Sequence, residues 1–281
     1  MNYRHAFHAG NFADVVKHAV LARILVHLRE KPQPFRVIDT HAGAGRYDLA
    51  GPDATRTGEW RAGIGRLMGA ALAPAAHQLL APYLDLVTQA NRGGALRYYP
   101  GSPLIALGMM RALDRLIACE LEPGAARALN NNLRTDKRAK ALVLDGFTAL
   151  NAYVPPKERR GVVLIDPPFE QKDEFARLAK SVTDAHRKWA TGIYAAWYPR
   201  KDPQAARTFV MQMKRSRCAK MLCAELDLGG DPSRLIGTGL IIVNPPWRLE
   251  QELAVLLPAL ADVLAQAERP QLRIEQLAAV G

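Results

Sequence analysis

The chain has 281 residues, 49% of them apolar, with 38 Lys and Arg against 27 Asp and Glu, a net charge of +11 and a pI near 9.8. That length can bury one large core, so a single domain over 1–281 is expected, and the excess positive charge points to a polyanionic partner. No stretch offers the roughly 20 uninterrupted apolar residues of a membrane span, the amino terminus lacks the apolar core of a signal peptide, and Cys119, Cys218 and Cys223 are too few for a disulfide framework; a soluble, cytoplasmic protein is expected.

Asn11 can cap a helix, and Phe12, Val15, Val16, Ala19, Val20, Ile24, Leu25 and Leu28 give that helix an apolar face until Pro32 and Pro34 stop it. A strand over 35–39 follows and runs into THAGAGRY (40–47), a small-residue turn that lets backbone approach a ligand. The next strand comes only after about 75 residues, where a simple crossover needs about a dozen. Helical patterns over 57–69 and 74–90 fill that interval, so a small helical insertion over 47–95 is expected.

From there strands and helices alternate: strands over 116–122, 141–146, 161–168 and 192–199, with helices over about 124–134 and 171–188 and a short one after 146. Such alternation makes an α/β fold, a mostly parallel sheet with helices on both faces. Two later strands, near 218–227 and 235–244, predict an antiparallel edge hairpin before a last long helix.

Ligands of open α/β sheets bind beyond the carboxyl ends of the strands, and four of those ends carry a usable group. The first ends at Asp39 with Gly43 and Gly45 behind it, the second at Glu120, the third at Asp145-Gly146, the fourth at Asp166-Pro167-Pro168-Phe169. A carboxylate ending the second strand can accept both ribose hydroxyls of an adenosine-type cofactor, and one ending the third can meet an adenine amino group. The order resembles the Rossmann-like fold of S-adenosylmethionine-dependent methyltransferases, and the tetrad resembles the [DNS]-P-P-[YFW] motif of their amino-methylating branch.

Amine methylation explains such a tetrad. An exocyclic base amine is a poor nucleophile until its lone pair leaves conjugation with the ring, and acceptors aimed at its two N–H groups favour that geometry. The Asp166 carboxylate and the Pro167 carbonyl would be those acceptors, held by two φ-restricted prolines, and Phe169 would stack on the base. A second tetrad, Asn244-Pro245-Pro246-Trp247, comes too late in the strand order and reads as structural, with an edge strand, Trp247 packed and the prolines starting the last helix; the alternative is a second base platform.

Tyr3-Arg4-His5, His8-Ala9-Gly10-Asn11, Asp14, Lys17-His18, DTHAGAGRY (39–47), RYYPGSP (97–103) and VNPPW (243–247) together resemble the RlmJ-type bacterial 23S ribosomal RNA adenine-N6 methyltransferases over nearly the whole chain. The resemblance implies that His18, His41, Ser102, Glu120, Asp145 and Gly146 contact S-adenosylmethionine, joined by Asp39, Gly43 and Gly45 of the first strand end. It implies that Asp166 accepts the proton, that Tyr3 meets the RNA, and that the target is one adenine of a 23S rRNA hairpin in protein-free RNA. Phe169 stands where many relatives carry Tyr, which preserves stacking and removes the phenolic hydroxyl.

Neither a metal nor an obligate protein partner is implied; His5, His8, Asp14 and His18 could supply metal ligands, but no cysteine joins them. Three rivals are distinguishable. A DNA adenine-N6 methyltransferase would share the tetrad, and a basic RNA-binding assembly factor would bind RNA without needing Asp166. A nicotinamide-dependent oxidoreductase would use Gly43 and Gly45, yet Asp48 stands where its third glycine belongs.

Overall fold

The computed structural model describes residues 4–277 except 93, 217, 219, 232, 233 and 268. After a short turn at His5–Phe7 comes α1, Phe12–Arg29, capped by Asn11, whose side chain accepts from the Asp14 N–H at 3.0 Å. The helix is buried around most of its circumference, Asp14, Lys17 and His18 included, where the sequence pattern predicts a single apolar face. Both sides are covered because α1 lies between the sheet and the helices that follow β1 (Arg36–Asp39).

The segment after β1 departs in detail from a pair of helices. It contains β2 (Arg46–Asp48), α2 (Pro52–Thr57), an irregular helical turn at Arg61–Gly65 leading into α3 (Arg66–Gly69), α4 (Pro74–Ala90) and β3 (Tyr98–Pro100). The helix expected over 57–69 is broken twice. Gly58 ends α2 in the left-handed region at φ 64°, and Gly63 is non-helical because the amino-terminal segment passes against it. A Cβ on Gly63 would sit 2.1 Å from the Gly10 carbonyl oxygen, so only glycine permits that contact. β2 and β3 pair as a separate two-stranded antiparallel sheet.

The remaining elements are α5 (Ser102–Met109), β4 (Arg115–Glu120), α6 (Pro123–Leu133), β5 (Ala139–Val143), α7 (Gly146–Tyr153), β6 (Gly161–Ile165), α8 (Glu174–Lys188), β7 (Ile193–Pro199), α9 (Pro203–Lys214), β8 (Met221–Asp227), β9 (Gly237–Val243), α10 (Leu249–Leu264) and β10 (Gln271–Leu277). The main sheet has eight strands in the order β10-β8-β9-β7-β6-β1-β4-β5. From β5 to β7 the pairs are parallel; β9 runs antiparallel to both β7 and β8, and β10 antiparallel to β8. This is the Rossmann-like α/β architecture with its antiparallel hairpin, extended by β10.

Every residue of β6 and β9 is buried, as a sheet covered on both faces requires. One core gathers α1, α4, α5 and α10; the other gathers α7, α8 and α9, with Val37 facing the first and Ile38 the second. All parallel strands end on the same side, so β1, β4, β5 and β6 deliver their carboxyl ends to one place.

Candidate active site

A cleft of about 550 Å³ opens at those strand ends. Of the residues expected there, His41, Gly43, Glu120, Asp145, Gly146 and Asp166 line it. His18, Asp39, Gly45, Ser102, Pro167 and Phe169 do not line it, and Tyr3 falls outside the described residues.

Glu120 closes β4 and ties two strand ends together. Its Oε2 accepts from the Gly43 N–H at 2.9 Å, and its Oε1 from the Leu121 and Glu122 N–H groups at 2.8 Å each. The glycine turn after β1 is therefore anchored by the acid after β4, in a position to receive neighbouring hydroxyls. Asp145 caps α7, accepting from the Thr148 N–H at 2.8 Å and hydroxyl at 3.0 Å, and pairs with Arg177 at 3.2 Å. Burial pushes its carboxyl up, but the Thr148 donors and the Arg177 guanidinium hold it below its ordinary value. Gly146 is sterically required, since a Cβ there would meet the Thr40 carbonyl at 2.3 Å and the His41 ring at 2.6 Å. Burial pushes the His41 imidazole down to about 4, so at neutral pH it is uncharged beside Phe147.

Two of the residues that do not line the cleft, Asp39 and His18, are buried and carry polar atoms without a hydrogen-bond partner. Asp39 is 1% exposed, and no hydrogen bond of good geometry reaches either carboxyl oxygen. Burial raises it to about 7, with Ser102 and Lys17 pulling the other way. His18 accepts or donates at Nδ1 to the Tyr99 hydroxyl at 2.6 Å, which meets the Tyr83 hydroxyl at 2.9 Å, while its Nε2 has no partner. Burial pushes this ring down to about 3.

Sequence reasoning missed the partner of Asp166. Lys17 on α1 bonds both Asp166 Oδ2 and Asp14 Oδ1, the latter at 2.7 Å; their side-chain exposures are 4%, 13% and 2%. Asp14 also accepts from the Gly10 N–H at 2.9 Å and pairs with His5 Nε2 at 3.0 Å. A buried chain His5–Asp14–Lys17–Asp166 thus runs from the amino-terminal turn to the tetrad. Burial lowers the Lys17 ammonium, yet the two carboxylates outweigh it and leave its pKa raised. The residues of the metal reading are divided: His5 and Asp14 belong to this chain, His8 pairs with Glu59 at 3.0 Å, and His18 faces Tyr99.

Within the tetrad, Asp166 and Pro168 face the cleft. Phe169, at φ +52°, is half-buried against Phe175 (ring centroids 4.7 Å) and edge-on to Trp197 (5.8 Å). The second tetrad sits at the opposite end of the sheet, because Val243 pairs with Tyr194 at the start of β7. Two expectations about it are corrected. β9 lies inside the sheet, and Trp247 is 65% exposed, since α10 begins two residues later and carries the chain away.

A family model described as "Ribosomal RNA large subunit methyltransferase D, RlmJ" matches residues 32–276. The chain is 42% identical over 269 residues to ribosomal RNA large subunit methyltransferase J of Escherichia coli, with 95% of each chain covered, and 40% identical over 267 residues to the Haemophilus influenzae protein of that name, with 94% of each covered. A crystal structure of a Legionella pneumophila protein superposes at a TM-score of 0.88 with 34% identity, covering 95% of this chain and 98% of that one. Sequence likeness over nearly full length and a cleft built from strand-end acids and a D-P-P-F tetrad agree: this chain belongs to the RlmJ family of methyltransferases.

Proposed function

We propose that the protein transfers a methyl group from S-adenosylmethionine to the exocyclic N6 amine of one adenine in 23S rRNA, acting in the cytoplasm on protein-free or early-assembly RNA. The observation that carries this reading is the Asp166 carboxylate, held by Lys17 at the wall of a cleft that also presents Glu120 and Asp145. When bound, S-adenosylmethionine supplies a methyl group already activated by its sulfonium. Glu120 would hold the ribose hydroxyls and Asp145 the adenine amine, with Gly43 and Gly146 leaving room for the donor. The unsaturated Asp39 carboxyl and the His18 Nε2 would lie behind it, together with His41, Gly45 and Ser102.

Asp166 would accept one N–H of the target amine and take its proton, and the Pro167 carbonyl would accept the other. Phe169 would offer an exposed part of its ring to the adenine, and Tyr3 would meet the RNA. Residues 47–95 act within the same domain as the flank of this site. Among the described residues no helix is long and apolar enough to cross a membrane.

Labelled methyl from S-adenosylmethionine should appear in protein-free 23S rRNA as N6-methyladenosine, released by ribonuclease and resistant to deoxyribonuclease and protease. Label in DNA or protein, or no transfer at all, overturns the reading. Glu120→Ala should weaken S-adenosylmethionine binding about 10- to 100-fold, since each charge-assisted hydrogen bond contributes about 1.5–3 kcal/mol. Calorimetry that finds wild-type affinity would remove Glu120 from the ribose.

A further inference from the structure

The positive charge of the chain is concentrated far from the cleft. The turns and helix ends at the amino-terminal side of the parallel strands comprise residues 29–36, 110–115, 134–139, 154–161, 187–193, 214–221 and 243–249. Among their described residues they hold 17 of the chain's 38 Lys and Arg but 4 of its 27 Asp and Glu. That end alone carries more excess positive charge than the +11 of the whole molecule.

Helix dipoles do not account for it. Six helices, α1, α5, α6, α7, α8 and α9, direct their carboxyl ends to this side, and each end presents roughly half a negative charge, so about three cations would complement them. Several of the cations lie outside any helix end, Lys157, Arg159 and Lys220 among them, all exposed.

A second observation on the same face has no counterpart in dipole compensation. Trp247 is 65% exposed, and the Arg248 guanidinium lies 4.3 Å from its ring centroid. The turn that presents them is fixed: Asn244 adopts φ +52°, donates through its side chain to the Ala190 and Gly192 carbonyls at 2.8 and 2.7 Å, and donates its backbone N–H to the Lys220 carbonyl at 2.9 Å. An exposed aromatic ring among cations matches the way single-stranded or splayed nucleic acid is gripped, with phosphates on the cations and a base on the ring.

We propose that this end of the sheet, with Trp247 and Arg248 at its rim, is a second RNA-docking face that grips the substrate RNA away from the base being methylated. The proposal rests on the RNA-methylating reading. β7 has seven residues at about 3.3 Å each, so an RNA that reaches both ends must extend more than about 20 Å beyond the target base. A long RNA uses both faces, and a minimal hairpin only the cleft.

The test compares a long protein-free 23S rRNA fragment with a short hairpin carrying the target adenine, for wild type and for K157Q/R159Q/K220Q/R248Q. The variant should raise KM for the long RNA about 10- to 100-fold. It should lower the salt slope of binding by about two to four, near 0.7–0.9 per phosphate contact. Transfer to the hairpin, kcat and S-adenosylmethionine affinity should stay at wild-type values, and W247A alone should raise KM for the long RNA about 10-fold. Wild-type KM and salt slope on the long RNA would overturn the proposal, as would an equal loss on both RNAs. Failure of the wild-type protein to methylate either RNA would instead remove the reading on which the proposal rests.

Discussion

Asp166→Ala should abolish methyl transfer, by about a thousand-fold or more, while S-adenosylmethionine binds as in the wild type. Two contributions disappear together. One is an acceptor aimed at the amine as it rotates out of conjugation, and a single such group accounts for about 10²–10³ in rate. The other is the site that takes the proton, about 10²–10⁴. Neither touches the sulfonium donor, so the loss falls on the amine. Asp166→Asn separates the two, because the amide keeps an acceptor oxygen and cannot take the proton; it should retain more activity than the alanine variant. Single-turnover transfer with saturating donor, beside calorimetry for the donor, reads both quantities. Activity near wild type in the alanine variant would remove Asp166 from the chemistry, and a parallel loss of donor affinity would move it to the cofactor.

The strand ends that form this site were legible because each is marked locally. β1, β4 and β6 are short apolar runs followed at once by Asp39, Glu120 and Asp166, and parallel topology forces those ends together. Elements without a local mark were not legible. β2 and β3 have three residues each and exist only because they pair with one another across an insertion. β10, QLRIEQL, is a mostly polar and half-exposed edge strand, and its pattern carries no buried face until it meets β8. The kink at Gly63 depends on the Gly10 carbonyl, more than 50 residues earlier in the chain.

The same distinction holds in the site. Glu120 and Asp145 are placed by groups within three residues of themselves, with Gly43 and Arg177 added by the fold. Lys17 reaches Asp166 across 149 residues, and a lysine in the middle of a helix reads as a solvated residue unless that helix is buried all round. Asp14, in the first turn of α1, has the ordinary place of a charge favouring a helix amino terminus; the fold uses it as the counterion that makes a buried lysine tolerable.

Lys17→Met should therefore damage the protein twice, in stability and in turnover. Methionine fills the same volume without charge, and it leaves Asp14 and Asp166 in a site 2% and 13% exposed without the ammonium between them. Breaking a buried pair by removing one partner costs about 3–5 kcal/mol. The cost depends on pH with a defined sign. In the wild type, burial raises the Asp14 carboxyl, but His5 and Lys17 outweigh it and leave its pKa depressed, so its contribution is present above about pH 4 and is lost as pH falls through the lower folded value. Lys17 is raised, so its contribution is present below about pH 10 and is lost as pH rises through the higher folded value. The stability gap between wild type and Lys17→Met should thus be widest between about pH 5 and 9, begin to shrink as pH falls below about 4, and close only as it passes the lower folded value of Asp14. Denaturant unfolding across that range measures it, and a gap that does not change with pH would mean that methionine costs packing rather than charge. Turnover supplies the second measurement: a lysine that positions the Asp166 carboxylate lowers kcat at least 10-fold when lost and leaves KM for S-adenosylmethionine alone, whereas a lysine with only a structural role would leave kcat of the folded fraction intact.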